Sequence, residues 1–281
     1  MILIADSGST KTDWILLDKD TVVKKINTIG LNPYFFTKEK VVEVLNNELI
    51  PSLIEYKNNI KTVYFYGAGC SNETNNGIIN YALVNIFKNT KIFVEHDLLA
   101  AARALLLKNS GIACILGTGS NACLYDGNDI TKTNLSLGYI LGDEGGGVNI
   151  SKNLLKKYLS NDLPDDLNKK FEVKFNYKKD EIVRKIYKES NPNTFIASFM
   201  PFVAENINDE FCLNLVLDSF DDFFKYQVSK LSSNKNIEIG CVGSIAHIFE
   251  KQFKIISEKW SYKVNCIYKT PIDGLIKFHN L

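Results

Sequence analysis

The chain has 281 residues, a formal net charge of +1, 45% hydrophobic residues and 23% charged residues. This balance gives no field that would recruit nucleic acid or an anionic membrane, and no apolar stretch approaches the ~18 residues of a membrane span. Six cysteines without a CxxC or other metal-binding spacing are typical of reduced thiols in the cytoplasm, so we expect a cytoplasmic globular protein with room for two domains.

The first twelve residues predict a strand, a tight turn and a second strand. An apolar run ends at Asp6, and the turn that follows is small or hydroxylated except for Lys11. Such residues let the backbone approach an anion and donate N–H and O–H groups to it, while Asp6 could hold a hydrated cation beside it. The alternative is an ordinary hairpin with a polar turn. The run lacks the basic region and apolar stretch of a signal peptide.

Further strands and helices alternate along the next ninety residues. Apolar spacing predicts strands over 21–26, 62–66 and 91–95, and helices over 37–56, 73–88 and 98–107. This alternation favours an α/β fold with a largely parallel core beyond the opening hairpin. Asp97 stands between the third of these strands and its helix. It is either a helix N-cap or a carboxylate at the strand tip, where α/β sheets place their chemistry, and the two roles are compatible.

At Gly111 the opening pattern starts again. Residues 112–116 and 122–126 predict strands around the turn 117–121, which aligns with the first turn without a gap and lacks only the aspartate. A repeat of this kind fixes architecture, so we predict two related domains that face each other across a ligand cleft. The remaining predicted helices span 149–160, 165–171, 178–189, 192–207, 209–231 and 245–258, with strands at 237–242 and 263–268 and a short final helix.

Two nucleotide signatures fail on inspection. The segment Gly8 to Thr12 resembles the end of a Walker A loop, but Thr10 stands where its second glycine belongs and a strand follows. The segment Gly117 to Ala122 satisfies GxGxxA, but a helix does not open there. Residues 138–147 contain five glycines around Asp143 and Glu144. Such density indicates a backbone or ligand constraint, with a flexible acidic linker as the alternative.

Together these motifs resemble those of the actin-like ATPase superfamily. The hairpins at Asp6–Thr12 and Gly117–Ser120 and the turn Gly240–Ser244 are similar to its two phosphate loops and its adenosine loop. A narrower resemblance, to N-acetylglucosamine kinases and the BadF/BadG/BcrA/BcrD ATPases, rests on three features together. These are Gly117–Asn121, Gly142–Gly145 and Asp97. The resemblance implies two ribonuclease H-like α/β domains. The first spans 1–105 and is completed by 270–281, and the second spans 106–269 with a helical insertion over about 149–232.

The resemblance also implies a role for individual residues. Asp97 is the base that deprotonates the sugar hydroxyl, and Asp6 orients Mg²⁺. Nucleotide contacts come from Ser9, Thr10, Lys11, Thr12, Thr118, Gly119, Ser120, Gly243 and Ser244. Sugar contacts come from Asn32, Asp97, Thr118, Gly138 and Asp143. Phosphoryl transfer needs positioning and charge neutralisation more than covalent chemistry, which these groups could supply.

The resemblance therefore implies an ATP-dependent kinase that uses Mg²⁺ and phosphorylates an amino sugar, with N-acetylglucosamine to its 6-phosphate as the first choice. Glucosamine and N-acetylmuramic acid or its anhydro form are alternative acceptors. An ATP-hydrolysing activator or regulatory protein is the alternative from another class. A homodimer is expected, and nucleic acid and membrane partners are not. No cysteine-rich zinc motif is present, so no structural zinc is expected.

Overall fold

A computed structural model describes residues 1–8 and 10–280 of the chain, in an α/β fold. The strands are β1 Ile2–Ser7, β2 Lys11–Asp18, β3 Thr21–Ile29, β4 Thr62–Gly67, β5 Lys91–His96, β6 Gly111–Leu116, β7 Ser120–Tyr125, β8 Ile130–Thr133, β9 Ile239–Val242 and β10 Val264–Tyr268. The helices are α1 Lys38–Val44, α2 Ile50–Leu53, α3 Glu73–Ile86, α4 Asp97–Leu106, α5 Gly138–Leu141, α6 Gly147–Leu159, α7 Asp165–Phe175, α8 Lys179–Lys188, α9 Pro192–Ala197, α10 Met200–Glu205, α11 Glu210–Phe223, α12 Ser229–Leu231, α13 Ser244–Ile248, α14 Glu250–Lys259 and α15 Ile272–His279. Within these described residues, no helix is long and apolar enough to cross a membrane.

Several predicted helices are interrupted. The helix predicted over 37–56 contains the π-helical segment Leu45–Leu49, and that over 209–231 contains Phe224–Val228. The helix predicted over 192–207 ends at Ala197 and restarts at Met200, because Pro201 sits in the first turn of α10, where its missing N–H costs nothing. Strand β8 was not predicted, since its Ile-Thr-Lys-Thr sequence is almost entirely exposed and shows no apolar alternation.

The described residues form two compact units. The first comprises 1–109, 127–129 and 271–280, and the second comprises 110–126 and 130–270. The sequence-based domain division stays a prediction. The sheet of the first unit has the order β3-β2-β1-β4-β5, and that of the second has the order β10-β9-β6-β7-β8. In both, a hairpin and its neighbour are antiparallel and the remaining strands pair in parallel. The repeated hairpin thus begins two sheets of the same topology.

In the first unit, the C-terminal helix α15 packs against α4. A Cβ atom at Gly274 would overlap the backbone of Ala104, so the close approach of the two helices requires glycine at this position. Ile272 and Leu275 of α15 join Ala104 and residues of β1 and β2 in one buried apolar cluster. This packing fixes α4, the helix that begins with Asp97.

A buried polar chain reinforces the same contact. Arg103 Nη1 of α4 donates to Tyr66 Oη at 2.9 Å, and Tyr66 Oη lies 2.9 Å from Nε2 of His279. Burial, together with smaller effects of the positive charges of Arg103 and Lys108, lowers the pKa of His279 to about 4. The folded ring is therefore neutral near pH 7, and its Nε2 can accept a hydrogen bond from the Tyr66 hydroxyl.

This arrangement predicts an acid-sensitive stability. In the unfolded chain a histidine takes up a proton near pH 6.5, whereas the folded His279 stays neutral until about pH 4. The unfolded state therefore binds more protons between these values, so the free energy of unfolding falls as pH drops from about 6.5 to about 4, by at most about 3 kcal/mol. Urea unfolding of His279→Gln should show a shallower pH slope than the wild type. His247→Gln, at an exposed histidine, is the matched control, and an equal slope in all three proteins would contradict the assignment.

The second unit has a core rich in phenylalanine. Helices α7, α9, α10, α11 and α14 contribute ring pairs such as Phe171–Phe199 at 5.5 Å and Phe220–Phe253 at 5.4 Å between centroids. The same cluster includes Ile112 and Leu116 of β6. The helices inserted between β8 and β9 are thus an integral part of this unit's core.

Candidate active site

In the first unit, candidate residues collect at the carboxyl ends of three parallel strands. Strand β1 pairs with β4 so that Ser7 lies opposite Gly67, and β4 pairs with β5 so that Gly67 lies opposite His96. Asp6 and Asp97 therefore lie near one sheet edge, where parallel α/β sheets place their ligands.

Asp6 is a half-buried carboxylate in a negative environment. Burial and the charges of Asp97 and Asp13 together raise its pKa to about 7, and the charge of Lys11 opposes this rise only in part. Such an excess of negative charge would be relieved by a cation. No group of three or more His, Cys, Asp or Glu side chains that could hold a metal ion occurs within residues 1–8 and 10–280. A carboxylate such as Asp6 is a donor that suits Mg²⁺, which usually keeps several waters and is held by one or two carboxylates and by substrate phosphates.

The hydroxyl of Thr12 is engaged inside the hairpin. The Leu31 N–H donates to Ser7 Oγ at 3.0 Å, Ser7 Oγ lies 2.8 Å from Thr12 Oγ1, and Thr12 Oγ1 donates to Ile29 O at 3.0 Å. Thr12 is also fully buried. Thr12 thus joins the hairpin to the segment that carries Asn32, and its contact with phosphate stays a prediction.

The other predicted phosphate ligands of this hairpin differ in availability. Thr10 is exposed and its carbonyl accepts from Gly30 N–H at 3.0 Å. The Lys11 ammonium is 2.8 Å from Asp13 Oδ2 and is 59% exposed, so it can leave this weak surface pair for a stronger anion. Ser9 lies outside the described residues.

Asp97 is the first residue of α4, and His96 rather than Asp97 is its N-cap. His96 Nδ1 lies 3.0 Å from the Leu98 N–H and 2.8 Å from Asp97 Oδ1. Burial opposes charge on the ring, but the hydrogen bond and charge of Asp97 outweigh it, so the pKa of His96 is raised. Nδ1 accepts from Leu98 when unprotonated and donates to Asp97 when protonated. The carboxylate of Asp97 is 27% exposed and can therefore be reached by a ligand.

Asn32 lies in a compact turn next to Gly69. Its side-chain oxygen accepts from Tyr34 N–H at 3.0 Å, and a Cβ atom at Gly69 would collide with that oxygen. Gly69 and Cys70 follow β4, whose last residue Gly67 pairs with His96, so the loop next to Asn32 starts beside the residue that precedes Asp97. Burial, with a further contribution from the charge of Asp97, raises the pKa of Cys70 to about 12. The aromatic side chains of Tyr34 and Phe35 are 64% and 72% exposed.

In the second unit, the two glycine-rich segments form one hydrogen-bonded block. The Gly147 N–H donates to Gly117 O at 2.8 Å, and the Val148 N–H donates to Thr118 O at 2.9 Å. A Cβ atom at Gly146 would lie 2.7–2.9 Å from backbone atoms of Gly119. The first N–H groups of α6 thus hold the turn 117–120 in place, and glycine is required where the two backbones meet.

Asp143 also contacts the turn 117–120 of this block. It adopts the left-handed conformation with φ of 57°, and its Oδ1 accepts from Ser120 N–H at 3.2 Å. A Cβ atom at Gly119 would lie 2.7–2.8 Å from the same carboxylate. The hydroxyl oxygen of Ser120 is buried and has no hydrogen-bond partner among the described residues. Gly138, also predicted to contact sugar, has φ of 66° and begins the one-turn helix α5 before Asp143.

A cavity of about 350 Å³ opens beside the turn 117–120. Its lining consists of Gly117, Thr118, Gly147, Ala197, Met200, Pro201, Ala204, Glu205, Ser244, Ile245, Ile248 and Phe249. The volume and the mostly apolar walls suit a small organic ligand. Gly243, just before Ser244, has φ of 129°, and a Cβ atom there would overlap Leu116 O. The turn predicted to contact adenosine therefore lies against the turn predicted to contact phosphate.

Sequence reasoning missed three contributors. The helices α9 and α10 supply one cavity wall, which the apolar spacing of their sequence does not indicate. The signal available was Pro201, which marks where α10 restarts. His96 was missed because no second histidine lies at ligand spacing, and Tyr34 and Phe35 were missed because exposure cannot be read from apolar spacing.

Comparisons with known proteins show the family of the chain. The sequence model of the BadF/BadG/BcrA/BcrD ATPase family matches residues 5–276. The chain belongs to this family. The predicted resemblance is therefore confirmed, and membership of an ATPase family implies the use of ATP. The sequence matches none of the curated proteins with which it was compared.

Solved structures extend the comparison. A candidate N-acetylglucosamine kinase from Porphyromonas gingivalis is 35% identical, with a TM-score of 0.96 over 100% of this chain and 99% of its own. A second candidate N-acetylglucosamine kinase, from Chromobacterium violaceum, is 12% identical with a TM-score of 0.70 over 99% and 98%. Component A of (R)-2-hydroxyglutaryl-CoA dehydratase from Acidaminococcus fermentans is 12% identical with a TM-score of 0.53 over 99% and 97%. The last two show the fold alone, and the predicted α/β fold of the actin-like ATPase type is confirmed.

Proposed function

We propose that this member of the family is an ATP-dependent sugar kinase that phosphorylates an amino sugar, with N-acetylglucosamine 6-phosphate as the product. The observation that carries the proposal is the accessible Asp97 carboxylate at the end of β5, beside the loop after β4. Gly69 of that loop lies against the Asn32 amide, and the nearby Tyr34 and Phe35 are exposed. A carboxylate, an amide and aromatic faces are the groups that bind a sugar hydroxyl and pack on a sugar ring. The 35% identity to a candidate N-acetylglucosamine kinase supports the same acceptor.

In the proposed mechanism Asp97 accepts the proton of the acceptor hydroxyl, which makes the oxygen a better nucleophile. Asn32 and Asp143 bind further hydroxyls and orient the ring, with Gly138 and Thr118 as additional contacts. Exact placement matters because phosphoryl transfer depends on positioning.

The nucleotide is proposed to bind in the second unit through its cavity, with the adenosine against Gly243 and Ser244. The turn with Thr118, Gly119 and Ser120 would then meet the phosphates, since the cavity includes Thr118 and the Ser120 hydroxyl lacks a partner. Thr10 and Lys11 of the first unit are proposed as further phosphate ligands. Asp6 is proposed to hold Mg²⁺, directly or through water. The ion would supply charge neutralisation at the transferred phosphoryl group.

Product analysis tests this proposal. The protein is incubated with ATP, Mg²⁺ and, separately, N-acetylglucosamine, glucosamine, N-acetylmuramic acid and its anhydro form, and sugar phosphates are identified by mass spectrometry. We expect N-acetylglucosamine 6-phosphate to form fastest. The 6-deoxy analogue of N-acetylglucosamine, which lacks the acceptor hydroxyl, is the matched control and should give no product.

The same experiment separates the alternatives. Faster turnover of glucosamine or of either N-acetylmuramic acid form would change the acceptor but keep the kinase. ATP turnover that is equal with every sugar, without any sugar phosphate, would instead indicate an ATP-hydrolysing activator or regulatory protein. The homodimer stays a prediction.

A further inference from the structure

The one-turn helix α5 carries the backbone directly into Asp143 but has little packing of its own. Its Ile140 and Leu141 side chains are 67% and 73% exposed. Only Tyr139 packs against the core of the second unit among the apolar side chains of this turn. The Gly142 N–H closes the turn by donating to Gly138 O at 2.8 Å. A single hydrogen-bonded turn is marginal alone, so its position must come from contacts outside it.

Lys152 of the neighbouring helix α6 supplies such a contact. Its Nζ donates to Tyr139 O at 3.0 Å and to Ile140 O at 3.2 Å. These carbonyls belong to the end of α5, where a positive charge also interacts favourably with the helix dipole. The α6 helix is in turn joined to the turn 117–120 through its first N–H groups. Lys152 thus connects the segment before Asp143 to the same block that Asp143 contacts.

The ammonium also acts on Asp143 through its charge. Burial raises the pKa of Asp143 and the Glu144 carboxylate adds to this, while the Ser120 N–H and Lys152 oppose the rise. Lys152 therefore favours the ionised carboxylate, the form that accepts hydrogen bonds from hydroxyl groups.

We propose that Lys152 is a positioning residue that holds Asp143 in the left-handed conformation in which its carboxylate binds the acceptor sugar. The inference rests on the proposed function, in which Asp143 contacts sugar hydroxyls. It assigns Lys152 no contact with either substrate, so its removal should affect acceptor binding more than chemistry.

Steady-state kinetics test the functional part. Lys152→Met keeps most of the unbranched side chain and removes the ammonium, so we expect KM for the sugar to rise about tenfold, with kcat and KM for ATP nearly unchanged. Lys152→Arg should recover most of the loss, because a guanidinium can also donate to two carbonyls. Lys156→Met, one turn further along α6 at an exposed position, is the matched control and should behave as wild type.

Hydrogen exchange tests the structural part without relying on turnover. In Lys152→Met the amides of residues 138–147 should exchange at least several-fold faster than in wild type and in Lys156→Met, because the turn has lost its anchor. Unchanged exchange would overturn the inference, as would faster exchange with an unchanged KM for the sugar. If the wild type phosphorylates no sugar, the proposed function fails on product analysis alone, and the link from Lys152 to acceptor binding fails with it. The exchange rates still decide whether Lys152 orders the turn.

Discussion

Asp97→Asn should reduce phosphoryl transfer to the sugar by about 10²–10⁴-fold, the usual contribution of a general base. The amide has nearly the same shape as the carboxylate but cannot accept the proton. Because α4 is fixed by its packing against α15, the substitution should leave the fold and the KM values of both substrates nearly unchanged. The measurement is kcat for sugar phosphate formation, with nucleotide binding followed separately by calorimetry.

A second carboxylate on the preceding strand provides the control. Glu95 lies two residues earlier on β5 and has no assigned role, so Glu95→Gln should keep most of the turnover. If Asp97→Asn retained more than about a tenth of the wild-type kcat, Asp97 would not be the base.

Gly243→Ala should be the most destabilising of the substitutions considered, by about 3–5 kcal/mol of unfolding free energy. The residue has φ of 129°, which alanine rarely adopts, and the added methyl group would overlap Leu116 O and approach Gly117 N to 3.1 Å. Relief of this overlap would have to move either the end of β6 or the start of α13. Gly117, directly after β6, and Ser244 and Ile245 of α13 line the cavity, so the affinity for ATP should fall as well.

Gly77→Ala is the matched control for this change. Gly77 lies within helix α3, and a Cβ atom there meets nothing within 4 Å, so alanine should stabilise the protein by about 0.5–1 kcal/mol. Urea unfolding of the two variants against wild type gives both free energies. Equal stability of Gly243→Ala and wild type would show that the backbone at this turn relaxes freely.

The sequence predicted the parts of the molecule that depend on local pattern. Each of three predicted features lies at the end of a predicted strand. They are Asp6, the second hairpin without an aspartate, and Asp97 before an alanine-rich helix. These predictions could be made because local secondary-structure propensity agrees with the sheet topology. The family resemblance then followed from the order of these motifs.

Other features depend on contacts between distant segments and could not be predicted. The hydroxyl of Thr12 is typical of a phosphate turn by composition, but its partners at Ser7 and Ile29 are known only once β2 and β3 pair. The close approach of Gly146 to Gly119 is likewise a tertiary contact. The sequence shows that glycine is frequent in both segments, but it does not show that the two backbones are in contact at these glycines.

That close approach has a thermodynamic consequence. The turn proposed to meet the phosphates and the carboxylate proposed to bind the acceptor belong to one hydrogen-bonded block, through Gly119, Gly146 and the Asp143–Ser120 hydrogen bond. When one substrate binds, it orders part of this block, so binding of the second substrate costs less conformational entropy. The two substrates should therefore bind with positive cooperativity. The factor by which the sugar tightens nucleotide binding must then equal the factor by which the nucleotide tightens sugar binding.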